Sequence, residues 1–496
     1  MAKFDFDLVV IGAGMGGLAT AALAQRRGLH VALLEAHTKL GGCAGYFSRG
    51  PLTFDVGATA LMGLNPGEPI GELLSAIGAD FTGIRTPSYR VCLPDREIQI
   101  VPDPVKFAAE IEQAFPGKTW ARQQFWKLQA AIGNTLFAVA SRVPRLPIRT
   151  LGDVIHDLGI LGPKGLAAAS TWLLTVEDVL RLLGLNSDHA FRCFVAMLLQ
   201  DTAQAGPETV PFANASACLQ AYRLGMSRPH GGMKALAGAI GERFTAMGGD
   251  LRTATKVDRV EKAEGGFLVS TRRRQVLGTR QVAFNVPLDL AADLLGRSLD
   301  GRLARREHQS RAAWSAFTGY VAFRREATPD SGPLFHQVLQ DYDKPIHDGN
   351  NVLISLSPPD DPGYAPSEIR VATMSTHTRP ADWSGLDDTV RKAKKAEYSG
   401  RLMQALAKAI PDAPAQLVHA EFATPRSFER YTRRKAGAVG GPPVSRGNST
   451  FLAVDSDVLG PGLWVVGDSV FPGQGTMAVV LSAIRVVERI TKTTAV

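Results

Sequence analysis

Gly12, Gly14, Gly16 and Gly17 crowd into six residues near the start of the sequence, and Glu35 closes the apolar run that follows. Glycines at this spacing let a chain turn tightly and bring free backbone N–H groups against a phosphate. Gly12 suits the turn, Gly14 the close approach of a pyrophosphate, and Gly17 the packing of helix on strand. Glu35, about 20 residues on, can accept hydrogen bonds from a ribose diol and would repel a 2′-phosphate. The chemistry indicated is recognition of a dinucleotide.

The neighbouring residues predict the elements that hold this site. Residues 6–11 form a short β-branched-rich run of the kind that becomes a buried parallel strand. Residues 18–24 read as a helix, Gly28 stands where it should stop, and 30–34 make a second buried strand. The uncharged stretch 8–25 is nearly long enough for a membrane span, but its glycines argue for a turn. Asp5 and Asp7 stand where a signal peptide would be basic. After Glu35 come Ala36, His37, Thr38, Lys39, Leu40, Gly41 and Gly42. Gly41 and Gly42 would let the chain pass close to the pyrophosphate, for which a simple nicotinamide dehydrogenase has no need.

A second cluster lies near the other end. Residues 462–468 read as a strand ending on Gly467 and Asp468, 469–476 as a turn, and 477–490 as a helix. Asp468 could bond polyol hydroxyls, while Gly475, Thr476 and Met477 open a helix whose N-terminus carries partial positive charge. In mid-chain, His230-Gly231-Gly232-Met233 opens an amphipathic helix to Met247. A hairpin of 254–260 with 267–271 follows, then a strand over 281–286 containing Asn285.

Taken together, Gly41-Gly42-Cys43-Ala44-Gly45, Phe54-Asp55-Val56-Gly57-Ala58-Thr59, the Gly231-Gly232-Met233 helix, Pro425 to Thr432 with Gly440-Gly441-Pro442, and Gly467-Asp468-Ser469 with Pro472-Gly473-Gln474-Gly475 resemble the phytoene desaturase-related family of the flavin amine oxidase superfamily. Gly57-Ala58-Thr59 and residues 334–339 look most like its carotenoid 3′,4′-desaturase branch. The resemblance implies FAD, an α/β fold with a Rossmann-like FAD-binding domain in discontinuous segments (1–75, 226–298, 446–496), and a mixed α+β substrate-binding and membrane-associating domain (76–225, 299–445) with an apolar helical subregion. It carries cofactor contacts onto Gly12, Gly14, Gly16, Gly17, Glu35, Ala36, Lys39, Gly41, Gly42, Gly57, Ala58, the Val257 backbone, Asn285, Gly467, Asp468, Gly475, Thr476 and Met477. The implied activity is desaturation of an apolar polyene, a carotenoid, with hydride passing from an allylic carbon to flavin N5. Carotenoid cis–trans isomerases and retinol saturases share most of these motifs. Amine oxidases usually carry Arg after the Gly-Gly pair where this chain has Cys43, which makes amine oxidation a minor alternative. A non-enzymatic escort of prenylated proteins is another, since it would not need Asp468 or the Pro-Gly-Gln-Gly turn.

Composition bounds the rest. The chain has 496 residues, a formal net charge of +8, 45% hydrophobic and 21% charged residues. That is ordinary globular composition with ample core. Cys43, Cys92, Cys193 and Cys218 are scattered without metal-ligand spacing, which points away from a disulfide scaffold or metal centre and towards a reducing, cytoplasmic compartment. Residues 113–152 hold no acidic residue but contain Lys118, Arg122, Lys127, Arg142, Arg145 and Arg149, interleaved with Trp120, Phe125, Trp126, Leu128, Ile132, Leu136 and Phe137. Such a stretch suits a peripheral anionic membrane surface, or a solvated basic face over core aromatics. No nucleic-acid-binding motif accompanies it. Residues 166–185 and 191–199 read as apolar helices, either plain core or the lining of a polyene tunnel. His336, His377, Arg426 and Arg430 are candidate proton acceptors or orienting groups, although structural roles are commoner for such residues. No catalytic residue is assigned.

Overall fold

In the computed structural model, residues 4–140, 151–449 and 452–494 are described. Arg142, Arg145 and Arg149 of the basic stretch lie outside them. Two seven-stranded sheets organise the chain. The strand Phe6–Ile11 lies at the centre of the first, buried on both faces, with parallel neighbours Val31–Leu34 and Val276–Phe284. Asp250–Arg252 extends the sheet beyond Val31–Leu34, and Leu463–Val465 pairs parallel with the end of Val276–Phe284. The hairpin Val257–Ala263 and Gly266–Thr271 completes it. One sheet therefore collects strands from the beginning, middle and end of the chain. Helices Met15–Arg26, Gly232–Ala246 and Thr476–Thr494 pack on it through Leu18, Ala22, Leu236, Ile240, Val480 and Val487.

The second sheet is mostly antiparallel, in the order Leu417–Ala423, Ser315–Arg324, Ile369–Thr378, Asn351–Leu356, Phe335–Leu339, Tyr89–Cys92 and Glu97–Ile100. Its core continues into helices Thr119–Ala140, His189–Thr202 and Phe212–Leu224.

Two expectations change here. The helix expected over 166–185 is broken. Leu151–Ser170 ends in a short 3-10 turn, and Val176–Leu182 starts afresh. The Thr175 hydroxyl accepts the Asp178 N–H while the Asp178 carboxylate accepts the Thr175 N–H, a reciprocal cap that begins a new helix. Of the apolar side chains considered for a tunnel, Trp172 is half-buried, while Phe194 and Met197, with Phe191 on the same helix, are fully buried. Phe191 meets Phe115 and Phe125 edge-on at 5.3 and 5.7 Å, so this face is packed core.

Of the aromatic residues between 119 and 140, Phe125 and Trp126 are buried and Trp120 is exposed. The accessible apolar face lies farther on: Leu151, Ile155 and Leu158 follow one another along one side of Leu151–Ser170, with Leu173 and Leu182 exposed beyond it. Among the described residues, no helix is long and apolar enough to cross a membrane.

Candidate active site

The glycine turn connects the central strand to the first helix. Gly12 takes φ +98° and its amide donates to the Leu34 carbonyl at 2.8 Å. A Cβ on Gly17 would lie 1.9 Å from the Gly12 carbonyl oxygen, so only glycine lets the helix sit this close to the strand. Gly14 caps the helix without any side-chain hydrogen bond, and the first turn holds no acidic residue. Its amides and partial positive charge are thus available to an anion.

Glu35 is placed beside them. Its Oε2 accepts the Ala13 N–H and its Oε1 the His37 N–H, both at 2.7 Å. Each oxygen retains acceptor capacity for a ribose hydroxyl. The following loop folds back onto the turn. Gly41 donates to Ala13 O at 2.9 Å and bridges Gly14, and a Cβ on Gly42 would come within 3.1 Å of Gly14 Cα. Ala36 is part of this loop, and Lys39 places Nζ 4.6 Å from the centre of the Tyr46 ring. The Gly57–Ala58 segment rests on the next residue, with Ala58 N–H donating to Cys43 O at 3.3 Å.

Asn285 stands at the floor of the turn. Its amide donates to Gly12 O at 3.3 Å, and its side chain fills the space that a Cβ on Gly14 or Gly16 would need. Gly467 approaches the same side chain from the C-terminal strand. In this position Asn285 fastens the two ends of the chain together. Val257 buries its side chain in the core and pairs with Thr271 in the hairpin. Thr253 to Lys256, just before it, are tied to the other edge of the site: Thr255 N–H donates to Glu35 O and Ala254 N–H to His37 O.

Asp468 and Arg434 form the opposite wall. The Arg434 guanidinium donates to Asp468 Oδ2 at 2.5 Å and to Gly440 O at 2.9 Å. Cys43 lies beside this pair, its thiol pKa pushed up by the surrounding protein and pulled back by the Arg434 charge. Gly42 and Gly475 keep accessible faces. Thr476 begins the last helix, and Met477 packs on Gly63, whose Cβ position lies 2.7 Å from Met477 Cγ. The two glycine-bearing ends of the chain therefore meet at Asn285, which contacts Gly12 on one side and approaches Gly467 on the other.

Several residues here escaped the sequence reading. Arg434 is one, although the flanking segments Pro425 to Thr432 and Gly440-Gly441 were noted. Another is Arg228, which ion-pairs with fully buried Asp55 at 2.9 Å. Asp55 also accepts the Met233 N–H at 2.9 Å and the Tyr364 hydroxyl at 3.0 Å, which fixes the Gly232–Ala246 helix against the second sheet. By contrast, His336 lies buried within a sheet strand, its pKa pushed down to about 3 by burial and the nearby Arg90 charge. His377 stacks edge-on with Trp314, its pKa lowered to about 4 by burial and by His347. Arg426 and Arg430 are exposed on the short helix Pro425–Thr432.

A family profile described as flavin-containing amine oxidoreductase matches residues 15–491. The chain belongs to this family. FAD is its cofactor, and the protein is a flavin-dependent oxidoreductase. The cradle fits such a group: an uncapped helix N-terminus, a carboxylate with open acceptor sites and a glycine turn whose close approaches leave no room for a Cβ. The chain is 25% identical over 516 residues to a chloroplastic prolycopene isomerase of Arabidopsis thaliana, covering 98% of this chain and 82% of that protein. It is also 25% identical over 503 residues to a lycopene-forming phytoene desaturase of Pseudescherichia vulneris, covering 96% and 97%. Among solved structures, a redesigned putrescine oxidase shares the fold with a TM-score of 0.66 and 15% identity, over 98% of this chain and 99% of that one.

Proposed function

We propose that the protein desaturates an acyclic carotenoid or a similar apolar polyene. The end-to-end match with a phytoene desaturase carries this reading. Cys43, in place of the arginine usual in amine oxidases, separates it from amine oxidation. Bound FAD supplies the two-electron acceptor that takes hydride from an allylic carbon. The Gly12–Gly17 turn and the Met15–Arg26 helix would hold the pyrophosphate, Glu35 the ribose and the Val257 backbone the adenine. Asp468, positioned by Arg434, would hold the ribityl chain, and the Thr476–Thr494 helix would face the ring system. On this reading the first sheet and its helices, drawn from 1–75, 226–298 and 446–496, are the cofactor domain. The remainder is the substrate domain. Conjugation stabilises charge developing on the polyene, so the protein contributes mainly orientation and exclusion of water.

We place the protein at a membrane surface in a reducing, cytoplasmic compartment. The exposed row Leu151, Ile155 and Leu158 supports the first point, and four free cysteines support the second. The match to a prolycopene isomerase favours a second reading, cis–trans isomerisation on the same scaffold. Product mass separates the two. Incubated with carotenoids in liposomes, FAD-loaded protein should give products two hydrogens lighter; products of unchanged mass, formed only with pre-reduced flavin, would establish the isomerase.

A further inference from the structure

Gly473, Gln474 and Gly475 form the turn into the last helix, Thr476–Thr494. Gly473 and Gly475 take φ +120° and +102°, and nothing lies within 4 Å of where a Cβ on either would stand. The turn thus presents bare backbone to open space on both sides of Gln474. The Gln474 side chain is anchored. Its Nε2 donates to Thr202 O at 3.0 Å, and its Oε1 accepts the Gly441 N–H at 3.3 Å. Both partners are backbone groups of fixed polarity, so a single orientation of the amide satisfies them.

On the domain division proposed above, both bonds cross from the cofactor domain to the substrate domain. Thr202 ends helix His189–Thr202. Gly441 abuts the Asp468 wall: a Cβ there would stand 2.6 Å from Asp468 O, and the neighbouring Gly440 O accepts the Arg434 guanidinium that holds the Asp468 carboxylate. Gln204, just beyond the helix, meets Gln474 at the same place, since a Cβ on Gly440 would collide with both side-chain amides. Gln204 Nε2 donates to Val439 O at 3.0 Å, its carbonyl accepts the Trp314 indole N–H at 2.7 Å, and Trp314 O accepts the Val439 N–H at 3.0 Å. This closed ring seats the Val439–Gly441 segment on the end of the helix. Its cost is visible. Gln204 is 5% exposed, sits at φ +55° and leaves its side-chain oxygen without a hydrogen-bond partner among the described residues. A left-handed residue with an unmet buried acceptor is held there by its surroundings, and such costs gather at functional sites.

We propose that Gln474 is a positioning residue, which sets the turn before the last helix at a fixed distance from helix His189–Thr202, with Gln204 as its counterpart on the helix side. The inference rests on the polyene reading above, in its desaturating or its isomerising form. Either one requires a polyene held by the substrate domain to meet a flavin held by the cofactor domain. A displacement of about 1 Å between reacting groups costs on the order of a hundredfold in rate. Gln474 ties the two domains directly at the turn assigned to the ring system, so it governs turnover and not the binding of either partner.

The test uses full-length, FAD-loaded protein with acyclic carotenoids in liposomes. Gln474→Met fills the same space with neither hydrogen bond, whereas Gln474→Glu keeps the acceptor for Gly441 and loses the donor to Thr202. Gln474→Met should lower kcat by about ten- to a hundredfold while KM stays within about twofold, the pattern of lost positioning. FAD per chain should match wild type. The oxidised flavin band, read before any carotenoid is added, should shift from its wild-type position because the turn has moved. Gln474→Glu should fall between the two. A kcat for Gln474→Met within about twofold of wild type would overturn the proposal, as would an activity loss that merely follows loss of FAD or a rise in KM. A wild type that converts no carotenoid would overturn the polyene reading instead, and the flavin band then decides on Gln474. A shift keeps its hold on the turn, and no shift removes it.

Discussion

Arg434 and Asp468 are locked together: guanidinium and carboxylate meet at 2.5 Å with side chains 15% and 16% exposed. Asp468 holds the Arg434 proton firmly against the opposing effect of burial. Removing one member of a buried pair strands the other charge, which costs about 3–5 kcal/mol. Arg434→Met should therefore lose about that much stability in denaturant unfolding of the FAD-free protein, and should purify with less FAD. A loss under about 1 kcal/mol, typical of a surface pair, would contradict this account.

The glycine turn gives a graded prediction. A Cβ on Gly14 meets the Asn285 amide at 2.7 Å, a side chain that can be trimmed, whereas a Cβ on Gly17 meets backbone at 1.9 Å. Gly14→Ala should weaken FAD retention, and adding Asn285→Ala should recover much of it. Overpacking of this kind typically costs about 1–3 kcal/mol. Gly17→Ala should not be rescued by Asn285→Ala. Equal rescue of both, judged by bound FAD per chain, would mean that the turn is built differently.

Glu307 predicts a pH dependence. Its pKa is pushed from the ordinary 4.5 up to about 7, by burial first and then by Asp289 and Asp468, against Arg306 and Arg434. Between those values the folded protein binds the proton more tightly than the unfolded chain, so stability falls as pH rises. At 1.36 kcal/mol per unit, the cost above pH 7 is about 3 kcal/mol. FAD-free Glu307→Gln should match wild type near pH 4.5 and be more stable by up to that amount at pH 8. A difference that does not vary with pH would refute this.

The row Leu151, Ile155 and Leu158 is 75%, 64% and 45% exposed. Burying each in a lipid interface would contribute on the order of 1 kcal/mol or more. Leu151→Asp with Ile155→Asp should leave the melting temperature unchanged but weaken co-sedimentation with anionic vesicles by at least about tenfold. Unchanged co-sedimentation would remove this face from the membrane reading.

The first strand, the glycine turn, Glu35 and the last helix were legible in the sequence because each is a local pattern: an apolar run, a turn, a helix start. What holds them together was not. Asn285 meets Gly12 across 273 positions and Arg228 meets Asp55 across 173, separations that no spacing rule reaches. Arg434 sits between two recognisable segments, and its role appears only when Asp468 is brought beside it. The break at Thr175 was written in Thr175 and Asp178, a local capping signal outweighed by the apolar character of 166–185. Phe125 and Phe191 show the limit on the apolar side, since composition does not tell a packed aromatic from one that lines a passage.

The central claim is two-electron oxidation of a polyene by bound FAD. Its most direct test is a single anaerobic turnover: FAD-loaded protein mixed with acyclic carotenoids in liposomes, with the oxidised flavin band followed at about 450 nm while product mass is measured. The account predicts one product molecule two hydrogens lighter for each flavin bleached. Product of unchanged mass with the flavin band intact would contradict it.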